Sequence, residues 1–190
     1  MCSCHKIKHR DCPDDHAVIK EVYEDNCYKL PMNINGWRIV DLGANIGSFS
    51  LLASERGAMV ECYEPEINNF KLLTINLKDY NCKFNQKAVF TGDKCGVTNT
   101  AGRSKIVEGN YIDSVTLDQV IDNKEVDFMK VDIEGSEYII FKNCNQLDKI
   151  KRMVIEVHGE VGDLLNQLKD NFIIKIKQTE AGKLMFCKRK

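Results

Sequence analysis

The sequence lacks an apolar run long enough to cross a membrane, and its polar N-terminus lacks the apolar stretch of a signal peptide. It also lacks a charge excess, because its formal net charge is −1. A chain without excess positive charge has no general attraction to nucleic acid or to anionic lipid. We therefore expect no membrane partner and no nucleic-acid partner, and the sequence does not indicate an oligomeric state.

Cysteine is abundant, with nine residues scattered along the chain. An odd, scattered set without a signal peptide favours free thiols in a reducing compartment over a framework of disulfides. The sequence therefore predicts a cytoplasmic protein.

The length of 190 residues suits one core. We expect residues 1–35 to form a Cys/His-rich tail and a helix, and residues 36–190 to form the main domain. Acids in the first turn and apolar residues at helical spacing predict this helix from Pro13 to about Tyr28. It should pack on the sheet of the main domain or over its pocket.

The stretch from residue 37 to residue 56 organises the chain. An apolar run predicts a buried strand, which is followed by D-L-G-A-N-I-G at 41–47 and by an amphipathic helical segment. Gly43 and Gly47 have no Cβ, so the backbone can turn sharply and approach a ligand closely. The turn also presents backbone N–H groups and a helix N-terminus to that ligand.

The identity of this ligand is indicated by two acids. Asn45 replaces the middle glycine of the dinucleotide motif G-x-G-x-x-G, and Asp41 precedes the first glycine. An acid there disfavours a diphosphate and suits a ligand with a free amino group, such as S-adenosylmethionine. Glu64 ends the second predicted strand, where an acid can accept hydrogen bonds from both ribose hydroxyls. The alternative is an ordinary strand–helix–strand unit with a solvated Glu64; the paired acids favour the binding site.

The apolar segments predict seven strands, of which five alternate with helices and two are joined by a hairpin turn. The first five should be parallel with right-handed crossovers, and the last must be antiparallel because its connection is short. This predicts an α/β, Rossmann-like class I methyltransferase fold: a seven-stranded, mostly parallel sheet with one antiparallel strand from a C-terminal hairpin and helices on both faces. Residues 91–111 lack apolar periodicity and are predicted to form an irregular substrate loop or lid. The predicted strands cover residues 37–40, 60–63, 82–90, 126–131, 152–157, 172–177 and 183–188.

Polar residues follow the fourth and fifth predicted strands: Asp132 and Glu134 after one, and Glu156 and His158 at the end of the other. Since these strands are neighbours in this topology, we expect the four side chains to cluster where the acceptor meets the methyl group. Transfer to a hydroxyl needs a group that takes the hydroxyl proton, and His158 suits this role, as does Glu134 with a raised pKa. Asp132 should face the methionine end of the cofactor or position the acceptor. The alternative for His158 is a structural role. Glu137 is interpreted as a residue of the first turn of a helix.

Two metal hypotheses stay open. The acids and histidine at the strand ends could bind Mg²⁺ or Mn²⁺, which would lower the pKa of the acceptor hydroxyl, and the sequence does not separate this from metal-free general-base catalysis. Five soft ligands near the N-terminus could bind zinc, but their spacing matches no zinc motif, so a mobile tail is favoured. These ligands are Cys2, Cys4, His5, His9 and Cys12.

From residue 37 to residue 159 the chain resembles the FkbM family of methyltransferases. The resemblance rests on V-D-L-G-A-N-I-G at 40–47, Y-E-P at 63–65, Asn69, V-T-L-D at 115–118, D-F-M-K-V-D-I-E-G-S-E at 127–137 and V-I-E-V-H at 154–158. It implies methyl transfer from S-adenosylmethionine, mostly to hydroxyl oxygens of small molecules and sugars. The chain departs from the family by being short, so the acceptor cannot be carried over.

The turn and the resemblance together give a set of expected cofactor-binding residues. These are Asp41, Gly43, Ala44, Asn45, Gly47, Ser48, Phe49, Glu64, Pro65, Asn69, Ala88 and Asp132.

Other functions remain as alternatives. N-methyltransferases on this fold often carry a Pro-Pro run after strand four, where this chain has D-I-E-G. A non-catalytic nucleotide-binding or regulatory subunit is the second alternative, although the intact Asp41, Glu64 and Asp132 argue against lost function. An NAD-dependent oxidoreductase is disfavoured because a glycine of its motif is missing.

Overall fold

A seven-stranded sheet forms the centre of the computed structural model, which describes residues 6–100, 103–179 and 182–190, with backbone alone for 97–100 and 103–111. Within these residues the helices are α1 (Pro13–Tyr23), α2 (Ser48–Glu55), α3 (Ile67–Leu77), α4 (Leu117–Ile121), α5 (Glu137–Lys142) and α6 (Val161–Leu168). The strands are β1 (Arg38–Leu42), β2 (Met59–Tyr63), β3 (Cys82–Asn85), β4 (Ala88–Val89), β5 (Cys95–Thr100), β6 (Arg103–Ile112), β7 (Ser114–Val115), β8 (Phe128–Val131), β9 (Arg152–Val157), β10 (Phe172–Gln178) and β11 (Lys183–Arg189).

The sheet has the strand order β3-β2-β1-β8-β9-β11-β10. Strands β3, β2, β1, β8 and β9 pair in parallel, whereas β11 is antiparallel to both of its neighbours. Because two antiparallel steps restore the direction, β10 runs the same way as β9. The predicted sheet with one antiparallel strand from a terminal hairpin is confirmed.

Helices cover both faces of the sheet because the side chains of the central strands alternate between two apolar clusters. Ile39 packs with Phe49 and Leu73 of α2 and α3 on one face. Its neighbour Val40 packs with residues of α4, α5 and α6 on the other face, among them Ile121 and Leu164. The predicted helix layers are therefore confirmed.

Residues before the predicted domain boundary at 35 belong to the first of these clusters. Ile7, Val22, Tyr28 and Ile34 are buried there beside Phe49. Helix α1 ends at Tyr23, earlier than predicted, because Asn26 and Lys29 adopt positive φ angles and turn the chain. Beyond this turn Tyr28 is buried against Phe49 of α2. The domain boundary itself stays a prediction.

The prediction of an irregular loop over residues 91–111 is wrong. Most of this segment forms the strands β5 and β6, which pair antiparallel from Gly96↔Val107 to Thr100↔Arg103. Its Thr, Val and Ile residues favour strands, and the sequence interpretation gave too much weight to its Gly and Asn residues. The third predicted strand also divides, since β3 ends at Asn85 and β4 pairs with β7 in a separate small sheet.

None of the described helices has the length and apolar sequence that crossing a membrane requires. The seven cysteines from Cys12 to Cys187 that lie in the described part of the chain are free thiols.

The turn after β1 packs directly on the chain after β8. Gly43 has a φ of +77°, and a Cβ placed on it would lie 1.8 Å from the carbonyl oxygen of Asp132. Any side chain at residue 43 would therefore push the two turns apart as well as strain the backbone.

We expect Gly43→Ala to lower the free energy of unfolding by at least about 2 kcal/mol, measured by urea denaturation. Gly162→Ala is the matched control, because Gly162 lies in α6, has no positive φ, and a Cβ added there would meet nothing within 4 Å. Alanine there should leave the stability unchanged or raise it by up to about 1 kcal/mol. Equal effects of the two substitutions would contradict the close contact at residue 43.

Candidate active site

A cavity opens at the carboxyl edge of the sheet, where the ends of β1, β2, β8 and β9 meet beneath α1. Parallel strands in an open α/β sheet place their ligand site at this edge. The helix α1 contributes Asp14, Ala17, Val18 and Glu21 to the wall, in agreement with its predicted place over the pocket. The remaining lining residues are Tyr28, Gly43, Asn45, Tyr63, Glu64, Pro65, Asn69, Lys87, Ala88, Val89, Asp132, Ile133, Glu134 and Glu156.

The turn after β1 is shaped by three residues with positive φ, namely Gly43, Asn45 and Gly47. Gly47 is the N-cap of α2, and a Cβ there would lie 2.6 Å from Leu77 Cδ1 of α3. Absence of a side chain thus lets α2 begin close to α3. Gly43 and Asn45 line the cavity as predicted, whereas Gly47 shapes the turn behind it.

Glu64 connects this turn to the end of β2. Its carboxylate accepts hydrogen bonds from the backbone N–H of Asn45 at 2.8 Å, from the backbone N–H of Glu66 at 2.9 Å, and from Asn69 Nδ2 at 3.5 Å. Burial raises the pKa of Glu64 to about 7, although these donors oppose the shift. The residue lines the cavity at the strand end where the sequence placed a ribose acceptor.

Asp41 lies behind the cavity wall. Its carboxylate accepts a hydrogen bond from Ser50 Oγ at 2.6 Å and pairs with Lys130 Nζ at 3.3 Å. Its charge is therefore compensated inside the protein, and the amino group of a ligand would have to find another partner. Four further expected cofactor residues, Ala44, Gly47, Ser48 and Phe49, are likewise absent from the residues that line this cavity within the described chain.

Lys130 is a buried cation that the sequence analysis did not assign to the site. Its ammonium donates to the carbonyl oxygen of Gly43 at 2.7 Å and pairs with Asp132 at 3.5 Å as well as with Asp41. The ring centroid of Tyr28 lies 5.5 Å away. Burial disfavours its charge, but the carboxylates of Asp41, Asp132 and Glu156 outweigh burial and raise the pKa of Lys130.

The four predicted catalytic residues come together at the ends of β8 and β9. His158 Nε2 lies 3.4 Å from a carboxylate oxygen of Glu134 and 3.9 Å from oxygens of both Asp132 and Glu156. The carboxylate of Glu137 lies 3.1 Å from the other ring nitrogen, Nδ1. Nε2 therefore lies among three carboxylates that line the cavity, whereas His158 itself is not one of the lining residues in the described part of the chain.

Glu137 does more than begin a helix, which was its interpretation from the sequence. It is fully buried, and its Oε1 also accepts from the backbone N–H groups of Ile133 and Gly135 at 3.3 Å. With a proton on Nδ1, His158 donates this hydrogen bond to Glu137, since a carboxylate oxygen accepts. This arrangement leaves Nε2 as the ring nitrogen that can gain or lose a proton beside Glu134.

The charges around His158 shift two pKa values. Burial disfavours the imidazolium, but the hydrogen bond to Glu137 and the charges of Asp132, Glu137 and Glu134 outweigh burial and raise the pKa of His158 to about 9. Burial, followed by repulsion from Asp132, raises the pKa of Glu156 to about 7. The neutral form of His158, which could take a proton, therefore predominates only above about pH 9.

Three side chains of this cluster could together hold a metal ion. Asp132, Glu134 and His158 each offer one ligand atom, and these atoms lie within 4.8 Å of one another. Among the described residues, no other group of three such ligands lies as close together. His9 and Cys12 do not belong to this group, and Cys2, Cys4 and His5 lie outside the described residues, so the N-terminal zinc hypothesis stays a prediction.

Comparisons with known proteins agree with this geometry. The sequence profile described as "Methyltransferase FkbM domain" matches residues 41–176. The protein "Methyltransferase sdnD" from Sordaria araneosa is 32% identical over 87 residues, which are 45% of this chain and 32% of that protein. The chain thus spans about a third of the length of the curated relative that it matches.

Solved structures share the fold. An rRNA methylase from Streptococcus thermophilus has a TM-score of 0.57 and 9% identity, with 88% of this chain and 95% of that chain covered. Precorrin-6y C5,15-methyltransferase from Geobacter metallireducens has a TM-score of 0.55 and 13% identity, covering 97% and 91%. Fibrillarin from Aeropyrum pernix, solved with bound S-adenosylmethionine, has a TM-score of 0.54 and 14% identity, covering 93% and 74%. At such low identities these similarities show the class I methyltransferase fold alone.

The contact between Glu137 and His158 gives a prediction. In chelator-treated protein, an NMR titration should give His158 a pKa of about 9, against 6.5 for an unperturbed histidine. Glu137→Gln should lower this pKa, because a neutral amide no longer stabilises the imidazolium. Glu125→Gln is the control, since Glu125 pairs with Lys151 and Arg189 on the surface. An unchanged pKa in Glu137→Gln would show that Glu137 does not hold the ring.

Proposed function

Because this chain belongs to the FkbM methyltransferase family, we propose that it transfers a methyl group from S-adenosylmethionine to a hydroxyl oxygen of a small molecule or sugar. The observation that carries this proposal is that Glu64 lines the cavity while His158 lies within 4 Å of three other residues that line it, Asp132, Glu134 and Glu156. A group that can hold a ribose and a group that can take a proton thus lie along the same edge of the sheet.

The donor set of the cavity fits the cofactor. Glu64 would accept hydrogen bonds from the ribose hydroxyls, and Asn69 and Ala88 would lie near the adenosine. Asp132 would accept from the amino group of the methionine end, because Asp132 lines the cavity whereas Asp41 is fully buried behind its wall. The lack of a Cβ at Gly43 lets the backbone approach closely. When bound, S-adenosylmethionine supplies an electrophilic methyl group on a sulfonium.

The residues of the chain would then perform two tasks. Asp132 and Glu156 would orient the acceptor hydroxyl beside the cofactor, which is a positioning effect. His158 in its neutral form would take the hydroxyl proton on Nε2, and Glu137 would keep Nδ1 turned away from the cavity. The imidazolium that forms would lie among four carboxylates, whose negative charges would stabilise it.

A divalent cation is the second candidate for activating the hydroxyl. Asp132, Glu134 and His158 present ligand atoms within 4.8 Å of one another, and oxygen-rich sites of this kind suit Mg²⁺ or Mn²⁺. Such an ion would lower the pKa of the acceptor hydroxyl directly. We favour metal-free general-base catalysis, because the contact of Glu137 with Nδ1 leaves Nε2 to take a proton when His158 is neutral, above about pH 9.

We further propose a cytoplasmic location. The free thiols of the described cysteines support it, because such thiols persist in reducing compartments.

Cofactor binding tests the first half of the proposal. S-adenosylhomocysteine should bind in calorimetry and NAD should not. Glu64→Ala should weaken binding of S-adenosylhomocysteine by at least about tenfold, since each charge-assisted hydrogen bond is worth roughly 1.5–3 kcal/mol. Glu24→Ala, which changes a carboxylate outside the cavity, should leave the affinity unchanged. Binding of NAD alone would overturn the methyltransferase proposal, and unchanged affinity in Glu64→Ala would reject the ribose assignment.

The rate of methyl transfer tests the proposed role of His158 as general base. His158→Ala should lower the rate of methyl transfer by about 10²–10⁴-fold, the usual worth of a general base, while affinity for S-adenosylhomocysteine stays within about twofold. His16→Ala, at an exposed position on α1, is the control.

EDTA separates the two candidates for activation. Loss of turnover in EDTA and recovery with Mg²⁺ or Mn²⁺ would assign activation to a cation. A rate that neither His158→Ala nor EDTA changes would make the cluster structural.

A further inference from the structure

A second cavity lies beside the first, farther along the same edge of the sheet. It is a groove of about 830 Å³ between α1 and the hairpin of β10 and β11. Ala17, Glu21 and Glu156 line both the groove and the first cavity. The two spaces therefore meet at Glu156, whose carboxylate lies 3.9 Å from His158 Nε2.

Strand register fixes the floor of this groove. Leu184 of β11 pairs with Glu156 of β9 on one side and with Lys177 of β10 on the other. Directly paired residues point to the same face of a sheet, and Leu184 belongs to the apolar cluster under α1, α2 and α3. Neighbouring strands are about 4.8 Å apart, so the row from Glu156 to Lys177 spans about 10 Å.

The order of the strands sets a direction along the edge. Glu64, the ribose partner in the proposed function, follows β2, and Asp132 follows β8. Glu156 and then Lys177 come next, on β9 and β10. A cofactor that extends from Glu64 to Asp132 would thus present its far end towards the groove and leave the groove itself unfilled.

Most of the residues that line the groove carry a polar group on the side chain. Seven of the ten lining residues carry a charge, an amide or a hydroxyl, and none of the ten is aromatic. Ligand pockets are usually lined by apolar and aromatic side chains, whereas the described lining of this groove has no aromatic ring on which a flat ligand could stack. Carboxylates, ammonium groups, the amide of Gln178 and the hydroxyl of Thr179 provide both acceptors and donors, which matches a ligand with many hydroxyl groups.

We propose that this groove binds the methyl acceptor, that the acceptor is a polyhydroxylated molecule without an aromatic ring, and that Lys177 is a specificity-determining residue at its far end. The inference rests on the proposed function, since it assigns the partner of the same methyl transfer. The acceptor hydroxyl lies at Glu156, within reach of His158, and the rest of the acceptor extends along the row towards Lys177. Glu21 and Lys20 of α1 form the opposite wall.

A bulky substitution on the floor tests this placement. Lys177→Trp should narrow the far end of the groove and remove its ammonium group, and tryptophan is tolerated in strands. Lys175→Trp is the matched control, because Lys175 lies on the same strand and points to the same face two residues farther from the edge, pairing with Phe186 outside the groove. Both variants should bind S-adenosylhomocysteine within about twofold of the unaltered protein in calorimetry.

The activity probe is methyl transfer from S-adenosylmethionine with a labelled methyl group to methyl α-glucoside, myo-inositol and catechol. We expect product from the polyols. Lys177→Trp should lower kcat/KM for them by at least about tenfold, which corresponds to about 1.4 kcal/mol, and Lys175→Trp should change it by less than about twofold.

The possible outcomes separate the two proposals. Product from catechol alone, or no product from either polyol while S-adenosylhomocysteine binds, would overturn the acceptor class. An equal loss in both variants, or no loss in Lys177→Trp, would overturn the groove as the acceptor site. Failure of S-adenosylhomocysteine to bind the unaltered protein would instead overturn the proposed function.

Discussion

The site depends on one buried cation. Lys130 lies on β8, between the carboxylate of Asp41 on β1 and that of Asp132 just after β8, and it also donates to the carbonyl oxygen of Gly43. Removing one partner of a buried ion pair leaves an uncompensated charge, which costs about 3–5 kcal/mol. Lys130 therefore ties the glycine turn to the strand that supplies the acidic cluster. The turn and the cluster keep their relative position because each of them provides an acceptor oxygen for the ammonium group of Lys130.

Beyond this anchor, negative charge accumulates towards the cavity. Asp132, Glu134, Glu137 and Glu156 surround His158, with Lys130 as the nearby permanent cation. Burial and then repulsion from Asp132 raise the pKa of Glu156, and the carboxylates raise the pKa of His158 against burial, so this group of side chains favours added positive charge. A proton, a divalent ion or a cationic ligand would each relieve the repulsion. A sulfonium cofactor beside these carboxylates would therefore be attracted by the same charges that raise the basicity of the imidazole.

Much of the fold followed from the sequence because it depends on local signals. Alternation and apolar runs located the strands of the main sheet, and the short last connection required β11 to be antiparallel. The strand ends then placed Glu64, Asp132, Glu134 and Glu156 on one edge, as the structure has them. These residues could be predicted because a parallel sheet brings its carboxyl ends together whatever its detailed packing is.

The parts that sequence reasoning missed depend on contacts between distant residues. Glu137 meets His158 across 21 positions, and Lys130 meets Gly43 across 87, so neither pairing leaves a local pattern. Lys130 and Glu137 did stand in the run that carries the family resemblance, which was the available signal. The hairpin of β5 and β6 was missed because its Gly and Asn residues are typical of loops, while its strands pair mainly with each other.

Helix α1 has a consequence for how the two sites communicate. Ala17 and Glu21 lie one helical turn apart and face both cavities, so a single rigid element forms a wall of each. A ligand that binds in one cavity and displaces this helix would therefore change the shape of the other cavity. Thermodynamic reciprocity then requires the coupling to be equal in both directions. If a ligand in the first cavity changes the affinity of the groove for its ligand by some factor, the ligand in the groove changes the affinity of the first cavity by the same factor.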